Sequence, residues 1–406
     1  MNKKKIYPWL VVALLFVVGC LNYLDRTTIT TMRSSIVQAI RMNDSQFGLL
    51  TAAFLWTYGL LSPFAGFLAD RFNRSKVVMI SLFVWSLVTF ATSFAQTFEQ
   101  LLLTRFLMGI SEACYIPAAL ALIMDYHPGP TRSLANGLHM AGIAVGQSLG
   151  FIGGWIAENH SWNHAFSIFG GVGIGYAFLL LFALKDPRGD ARTQGTTTTP
   201  PIRFGAAVKE LAGGRNYLLA LLSWTLLGIA GWILIGWMPT YYKEHFHLSQ
   251  TDAGVYATVY FYPFSLVGVV IGGWLADRWS LSNPRGRMLV PAIGMLIAAP
   301  AVFIASSTSL LPVAVTGFLT YAFLRVFTDA NMMPILCLVT DERYRATGYG
   351  VLNMFSCVIG GVGIYAGGAL RDADTNLSLV FKIAAFLLLC CGLTLLRIRQ
   401  TEKTSG

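Results

Sequence analysis

Two charges stand next to each other in the middle of an apolar run that opens near Tyr7 and continues past Ile29: Asn22-Tyr23-Leu24-Asp25-Arg26. Burying opposite charges in a lipid-spanning helix is costly, so such residues face a bundle interior and mark a path for a substrate or an ion. A second run, Leu101–Met124, carries Arg105 and Glu112 seven residues apart. Seven residues is about two helical turns, which places both side chains on one face. One acid and one base on each of two membrane helices predict a polar centre inside a carrier of a charged solute.

The rest of the chain supports that frame. It is 55% hydrophobic and only 12% charged, against about 25% in a soluble domain. Its mean hydropathy is +0.60. About twelve apolar runs follow one another, each roughly the 20 residues a helix needs to cross a bilayer. They lie near 8–31, 46–69, 77–95, 99–124, 133–157, 163–184, 216–241, 252–276, 288–306, 309–335, 346–370 and 377–396. The first is too long, and too polar at its end, for a cleaved signal peptide. The expected fold is an all-α integral membrane protein, with twelve transmembrane helices in two pseudo-symmetric six-helix bundles around a central cavity.

A net charge of +10 would suit a nucleic acid partner, but its placement does not. Of the 29 Lys and Arg, 21 fall on one side of the twelve-helix topology, including Lys3, Lys4 and Lys5, the 185–215 segment and the tail. That is the positive-inside bias, and it predicts both termini in the cytoplasm of a bacterial inner membrane. The six cysteines (Cys20, Cys114, Cys337, Cys357, Cys390, Cys391) all lie in apolar runs without CxxC spacing and read as small hydrophobic residues. No G-x-x-x-x-G-K-[ST] loop and no H-E-x-x-H pair occurs, which disfavours ATP-driven transport and a membrane enzyme. No cofactor, metal or nucleic acid is expected; the partners are the bilayer and a small anion, and the chain reads as a monomer.

The halves repeat. Gly66-Phe67-Leu68-Ala69-Asp70-Arg71 returns as Gly273-Trp274-Leu275-Ala276-Asp277-Arg278. Arg132, Gly137 and Gly154 return as Arg345, Gly350 and Gly367. Duplicated halves place a transport site near the midplane, where they meet. The division is 1–185 for the first bundle, 186–215 for a polar cytoplasmic linker with Thr196–Thr199 and Pro200-Pro201, and 216–406 for the second bundle. Gly142, Gly146, Gly150 and Gly154 form an i, i+4 ladder for close helix approach. Pro63, Pro117, Pro239, Pro263 and Pro334 interrupt helical hydrogen bonding and are candidate bends.

GFLADRFNRSK at Gly66–Lys76 resembles the signature loop of the major facilitator superfamily. RFLMGISEACYIP at Arg105–Pro117, Asn22–Arg26 and Gly236–Tyr241 together resemble its anion:cation symporter branch, the sialin-like and bacterial sugar-acid carriers. Spinster-like carriers of lysolipids share a similar helix 1 Asp-Arg and helix 4 Arg…Glu and are the nearest competitor. The branch resemblance implies that Tyr23, Arg26, Tyr58 and Arg105 line or bind the anion, and that Asp25 and Glu112 carry a coupled proton. Two arginines and two acids leave an empty site neutral. A bound monovalent anion then requires protonation of one carboxylate, because a lone buried charge is expensive. The expected function is therefore proton-coupled symport of an organic anion such as a hexonate, hexuronate or sialic acid by alternating access. The alternative is lysophospholipid or sphingolipid transport.

Other residues admit two readings. Asp70, Arg71 and Arg74, with Asp277 and Arg278, form a gate latch or ordinary interfacial anchors. Gln147, with His139 on the same helix, lines the cavity or packs, while Asn353 and Tyr365 on the eleventh helix read as cavity-lining. Arg325 and Asp329 read as an internal i, i+4 pair. Among Trp224, Trp232, Trp237, Tyr241 and Tyr242, some rings would stack on a sugar, while Tyr241 and Tyr242 fit an interfacial aromatic belt.

Overall fold

The computed structural model describes residues 3–127, 131–187, 204–283, 285–341 and 344–398, and within these the side chains of 3–5, 66–71, 132–133, 204–207 and 346 fall outside the description. Twelve described helices are long and apolar enough to cross a membrane. They are α1 (Ile6–Thr31), α2 (Asp44–Ala65), α3 (Arg74–Thr92), α4 (Phe98–Tyr126), α5 (Leu134–Asn159), α6 (Trp162–Ala183), α7 (Arg215–His245), α8 (Gln250–Ser280), α9 (Gly286–Ala305), α10 (Leu311–Val339), α11 (Thr347–Asp372) and α12 (Leu377–Arg397).

The starts of these helices carry the side chains that such starts need. Asn73, Thr97, Ser161, Ser249 and Asn376 each accept a backbone N–H from the first turn of α3, α4, α6, α8 and α12. Each satisfies a donor that the helix itself leaves open. Proline accounts for two interruptions. Its ring clashes with the carbonyl four residues back and it has no N–H to give. Pro117 falls four residues after Ala113, and α4 breaks at Ala113-Cys114, immediately beyond Glu112. Pro263 falls four residues after Val259, and α8 carries a π-helical turn at Tyr256–Tyr260. Pro63, Pro239 and Pro334 lie inside unbroken helices.

The glycine ladder of α5 seats that helix on α1. A Cβ at Gly146 would overlap the carbonyl of Cys20, and one at Gly142 would meet Phe16. Gly150 and Gly154 face Thr27 and Thr31 further along. In the second half Gly268 and Gly272 play this part for α8 against Phe323 and Phe327 of α10. Without a hydrophobic drive between helices in lipid, such close approach supplies the dispersion contacts.

The two halves meet along α2 and α11, α5 and α8, and α1 and α7. The linker expectation needs one correction. Phe204–Gly213, inside the predicted linker, is a helix, and Leu211 packs with Tyr217 and Leu336 in the second half. Its apolar residues were overlooked beside the Thr- and Pro-rich run before it, residues 188–203, which lies outside the described residues. A second correction concerns the rings. Tyr241 and Tyr242 are buried within the second bundle, against Phe318 and Phe246, and the Tyr241 hydroxyl donates to the Ala305 carbonyl at 3.1 Å. They are neither an interfacial belt nor open to a ligand, because Ala305 of α9 and Phe381 of α12 cover Tyr241, while Tyr256 of α8 and Phe318 of α10 cover Tyr242.

Candidate functional site

The predicted charged centre assembles where α1, α2, α4 and α6 converge. Arg26 Nε donates to Glu112 Oε2 at 2.6 Å, with Glu112 fully buried and Arg26 nearly so. The Arg26 guanidinium also lies 4.6 Å from the ring centre of Tyr23, 5.0 Å from Phe54 and 4.4 Å from Tyr58. Three aromatic faces and one carboxylate therefore hold one cation in place, each adding attraction in a site without bulk water. Arg26 Nη2 and Glu112 Oε1 remain without partners.

Asp25 points elsewhere, as consecutive helical residues must. It is 4% exposed and accepts from the Thr89 hydroxyl of α3 at 3.2 Å. Arg105, 1% exposed, sits 5.4 Å from the centre of the Phe166 ring of α6, with its Nε and Nη2 unpaired. Asp25, Arg105 and Glu112 lie within electrostatic reach of one another. The four charges cancel, while only one direct ion pair forms among them. Asn22, one turn before Arg26, approaches Glu112 without reaching hydrogen-bond geometry, and both of its amide atoms are buried and unpartnered.

The remaining sequence candidates separate. Asn353 Nδ2 donates to Ser62 Oγ at 3.1 Å, tying α11 to α2 across the halves. His139 is packed between α1 and α4: its Nδ1 meets the Leu15 carbonyl at 3.1 Å and its ring lies edge-on to Tyr115. That decides packing over cavity lining for His139. Gln147 is half-buried on α5, and no hydrogen bond joins it to the four charges among the described residues. Arg74 donates to Asp125 at 2.6 Å and to the Ala121 carbonyl at 3.0 Å, so it fastens α3 to the end of α4. Asp277 accepts from Arg287 at 2.9 Å, and Arg278 lies over Trp274 of its own helix. These contacts all stay within one half. The side chains of Asp70 and Arg71 lie outside the described residues.

A second charged assembly escaped the sequence reading. It closes the end opposite the chain termini. Arg371 Nη1 and Nη2 grip Glu244 as a fork at 2.8 and 3.0 Å, and its Nε reaches Asp44 at 2.8 Å. Arg33 bridges the same two acids. Both guanidinium groups lie 5.6 Å from the ring centre of Trp237. Two further acids complete it. Asp372, ending α11, accepts the backbone N–H groups of Asp44 and Ser45 at 2.8 and 2.9 Å. Glu158, near the end of α5, accepts those of Gln250 and Thr251 at 3.2 and 2.9 Å. Each half thus caps a helix N-terminus of the other, where a carboxylate meets open donors and a favourable dipole. The only signal in the sequence was the placement of acids at helix ends, which has many commoner causes.

Comparison with known proteins fits the geometry. The sequence profile of the Major Facilitator Superfamily matches residues 15–364. Protein spinster homolog 1 of Xenopus tropicalis is 29% identical over 388 residues, covering 89% of this chain and 72% of that protein. The human protein spinster homolog 1 is 27% identical over 416 residues, covering 94% and 78%. The sphingosine-1-phosphate transporter SPNS2 of Mus musculus is 29% identical over 373 residues, covering 86% and 67%. In fold, the chain resembles a bacterial homolog of the human lysosomal transporter Spinster, crystallised inward-facing and unoccupied, with a TM-score of 0.78 at 23% identity over 99% of this chain and all of that one. These relatives correct the branch expected from the sequence: they are Spinster-like, and they do not support the sialin-like branch. The chain belongs to the Major Facilitator Superfamily and is a transporter, not an enzyme.

Proposed function

We propose that this protein carries a single-chain lysophospholipid or sphingolipid by alternating access, using the Arg26–Glu112 pair as its coupling element. The similarity to Spinster-type proteins over most of the chain carries this reading. The site supports it physically. Arg26 is already neutralised by Glu112 and enclosed by Tyr23, Phe54 and Tyr58, so its charge is compensated and its surroundings are largely aromatic. A proton on Glu112 would free the Arg26 fork, and return of the proton would restore the pair. Asp25 and Arg105 balance the remaining charge. Arg74, Asp277 and Arg278, with Asp70 and Arg71, belong in this reading to the gate at the termini end. With both termini cytoplasmic in a bacterial inner membrane, the end sealed by Arg33, Asp44, Glu244 and Arg371 faces away from the cytoplasm.

Counterflow in proteoliposomes tests the reading. Lysolipids of increasing acyl length should compete with affinity rising by roughly 0.8 kcal/mol per buried CH₂. Hexonates and hexuronates should not compete. Uptake of a sugar acid without any lysolipid competition would overturn it. One observation favours the second reading, proton-coupled symport of an organic anion: the unpaired Nε and Nη2 of Arg105 would suit a carboxylate. The same assay separates the two.

A further inference from the structure

A small cavity lies at the end opposite the chain termini, between the two halves. Its wall includes Thr30 of α1, Arg33 and Ser34 just beyond it, Thr240 and Lys243 of α7, and Gln250 of α8. The cavity is partly enclosed, and its room for the centre of a water-sized particle is ≈ 10 Å³. That is about one such sphere, enough for a single water or a monatomic ion and too little for a phosphate or a carboxylate.

Open donors dominate this wall. Arg33 gives Nη1 to Glu244 and Nη2 to Asp44, while its Nε is buried without a partner. The Thr240 hydroxyl is also buried without a partner, on a residue only 5% exposed. Ser34 and Lys243 make no hydrogen bond or ion pair among the described residues, and Lys243 comes only within electrostatic reach of Glu158. Gln250 differs, because its amide is spent on Ser35 and the Gly154 carbonyl. Among the described residues no carboxylate belongs to the wall. The acids nearby are occupied: Asp44 and Glu244 by Arg33 and Arg371, and Glu158 by the backbone N–H groups of Gln250 and Thr251. Buried donors left open are costly. Arg33 Nε and the Lys243 ammonium can only donate. A water that accepted from both would leave the protons of Thr240 and Ser34 without an acceptor. An anion accepts from all four and gains charge attraction as well.

We propose that this cavity binds one chloride-sized anion through Arg33, Ser34, Thr240 and Lys243, and that the bound ion favours closure of this end. Arg33 and Ser34 belong to the first half, and Thr240 and Lys243 to the second. All four surround the ion only while the halves are together here. A ligand that binds one of two states shifts the population toward it. General screening by salt has the opposite sign, since it weakens partly exposed pairs such as Arg33–Glu244 and Arg371–Glu244. The direction of the chloride effect therefore separates a bound ion from an ionic atmosphere. The site is independent of which substrate the protein carries.

The test replaces potassium methanesulfonate, whose anion is too large for the cavity, with potassium chloride at constant ionic strength, on the purified full-length protein. The melting temperature in detergent should rise with chloride and saturate, as for one ligand bound to the folded state. With spin labels at Arg41 and Ala373, exposed on opposite halves, chloride should shrink the long-distance population. Thr240→Val, close in shape, should raise the half-saturating chloride concentration roughly tenfold or more, as for one hydrogen bond to a charged group. Lys243→Gln should abolish the chloride effect. Should either variant fold poorly, bromide soaked into crystals of the wild type closed at this end should give an anomalous peak between Arg33 and Lys243. Equal melting temperatures in the two salts would overturn the site, and so would a crystal with water alone in the cavity. A chloride effect of full size in both variants would place the ion elsewhere and overturn it too. Chloride that raises the melting temperature but leaves the label distances unchanged would overturn the role in closure.

Discussion

At the scale of single residues, Arg26 concentrates the most interactions. It bonds Glu112 and lies against Tyr23, Phe54 and Tyr58. A guanidinium can stack on rings and donate in a plane at once, and an ammonium cannot. Arg26→Lys keeps the charge but loses both properties. Transport should fall by about tenfold or more, measured as initial uptake in proteoliposomes, while the melting temperature in detergent stays close to wild type. Near-normal uptake would remove Arg26 from the coupling element. Glu112→Gln replaces the acceptor with an amide that resembles the protonated acid. It should abolish accumulation driven by a proton gradient and preserve counterflow exchange. Uphill accumulation by this variant would show that the proton is carried elsewhere. These residues were legible in the sequence because charge in an apolar run is rare. Their partners were not: the pairing of Arg26 with Glu112 rather than with adjacent Asp25 follows from how α1 and α4 are rotated, which local spacing does not encode.

At the scale of helices, small residues decide how closely neighbours approach. Gly146 lies directly on the Cys20 carbonyl, with backbone rather than a flexible side chain in the way. Gly146→Ala must push α5 off α1, and overpacking of this kind costs about 1–3 kcal/mol. Thermal unfolding in detergent should report the loss, and an unchanged melting temperature would mean that the two helices separate without penalty. Gly137, at the other end of α5, has open space around it, so Gly137→Ala should be neutral by the same measurement. The ladder pattern was visible in the sequence. Which helix it faced was not, because any helix with a narrow face would satisfy the same spacing.

At the scale of the whole molecule, the end opposite the termini is held by ions crossing between the halves. Asp372 and Glu158 each accept two backbone N–H groups from the other half. Removing both acceptor charges should release that end, since every outward-opening state must break these contacts. In the double variant Asp372→Asn/Glu158→Gln, spin labels at Arg41 and Ala373, exposed on opposite halves, should show a larger long-distance population than in the unmutated pair. An identical distance distribution would mean that the ions follow the closure and do not hold it.

The sequence by itself determined the twelve spans, the two-fold repeat and the presence of charged residues on α1 and α4. Each is written in local composition or periodicity, because lipid demands long apolar helices and penalises every charge within them. Only the tertiary structure decided which charge meets which, that Tyr241 and Tyr242 are core, that His139 packs, that Phe204–Gly213 is helical, and that Arg33, Asp44, Glu244 and Arg371 close one end. Those outcomes depend on contacts between residues far apart in the chain, such as Arg26 with Glu112 and Arg371 with Asp44. A helix of given composition can rotate about its own axis at little cost until its neighbours lock it. The partners of a side chain are therefore set by the packed bundle and not by the run of sequence that carries it.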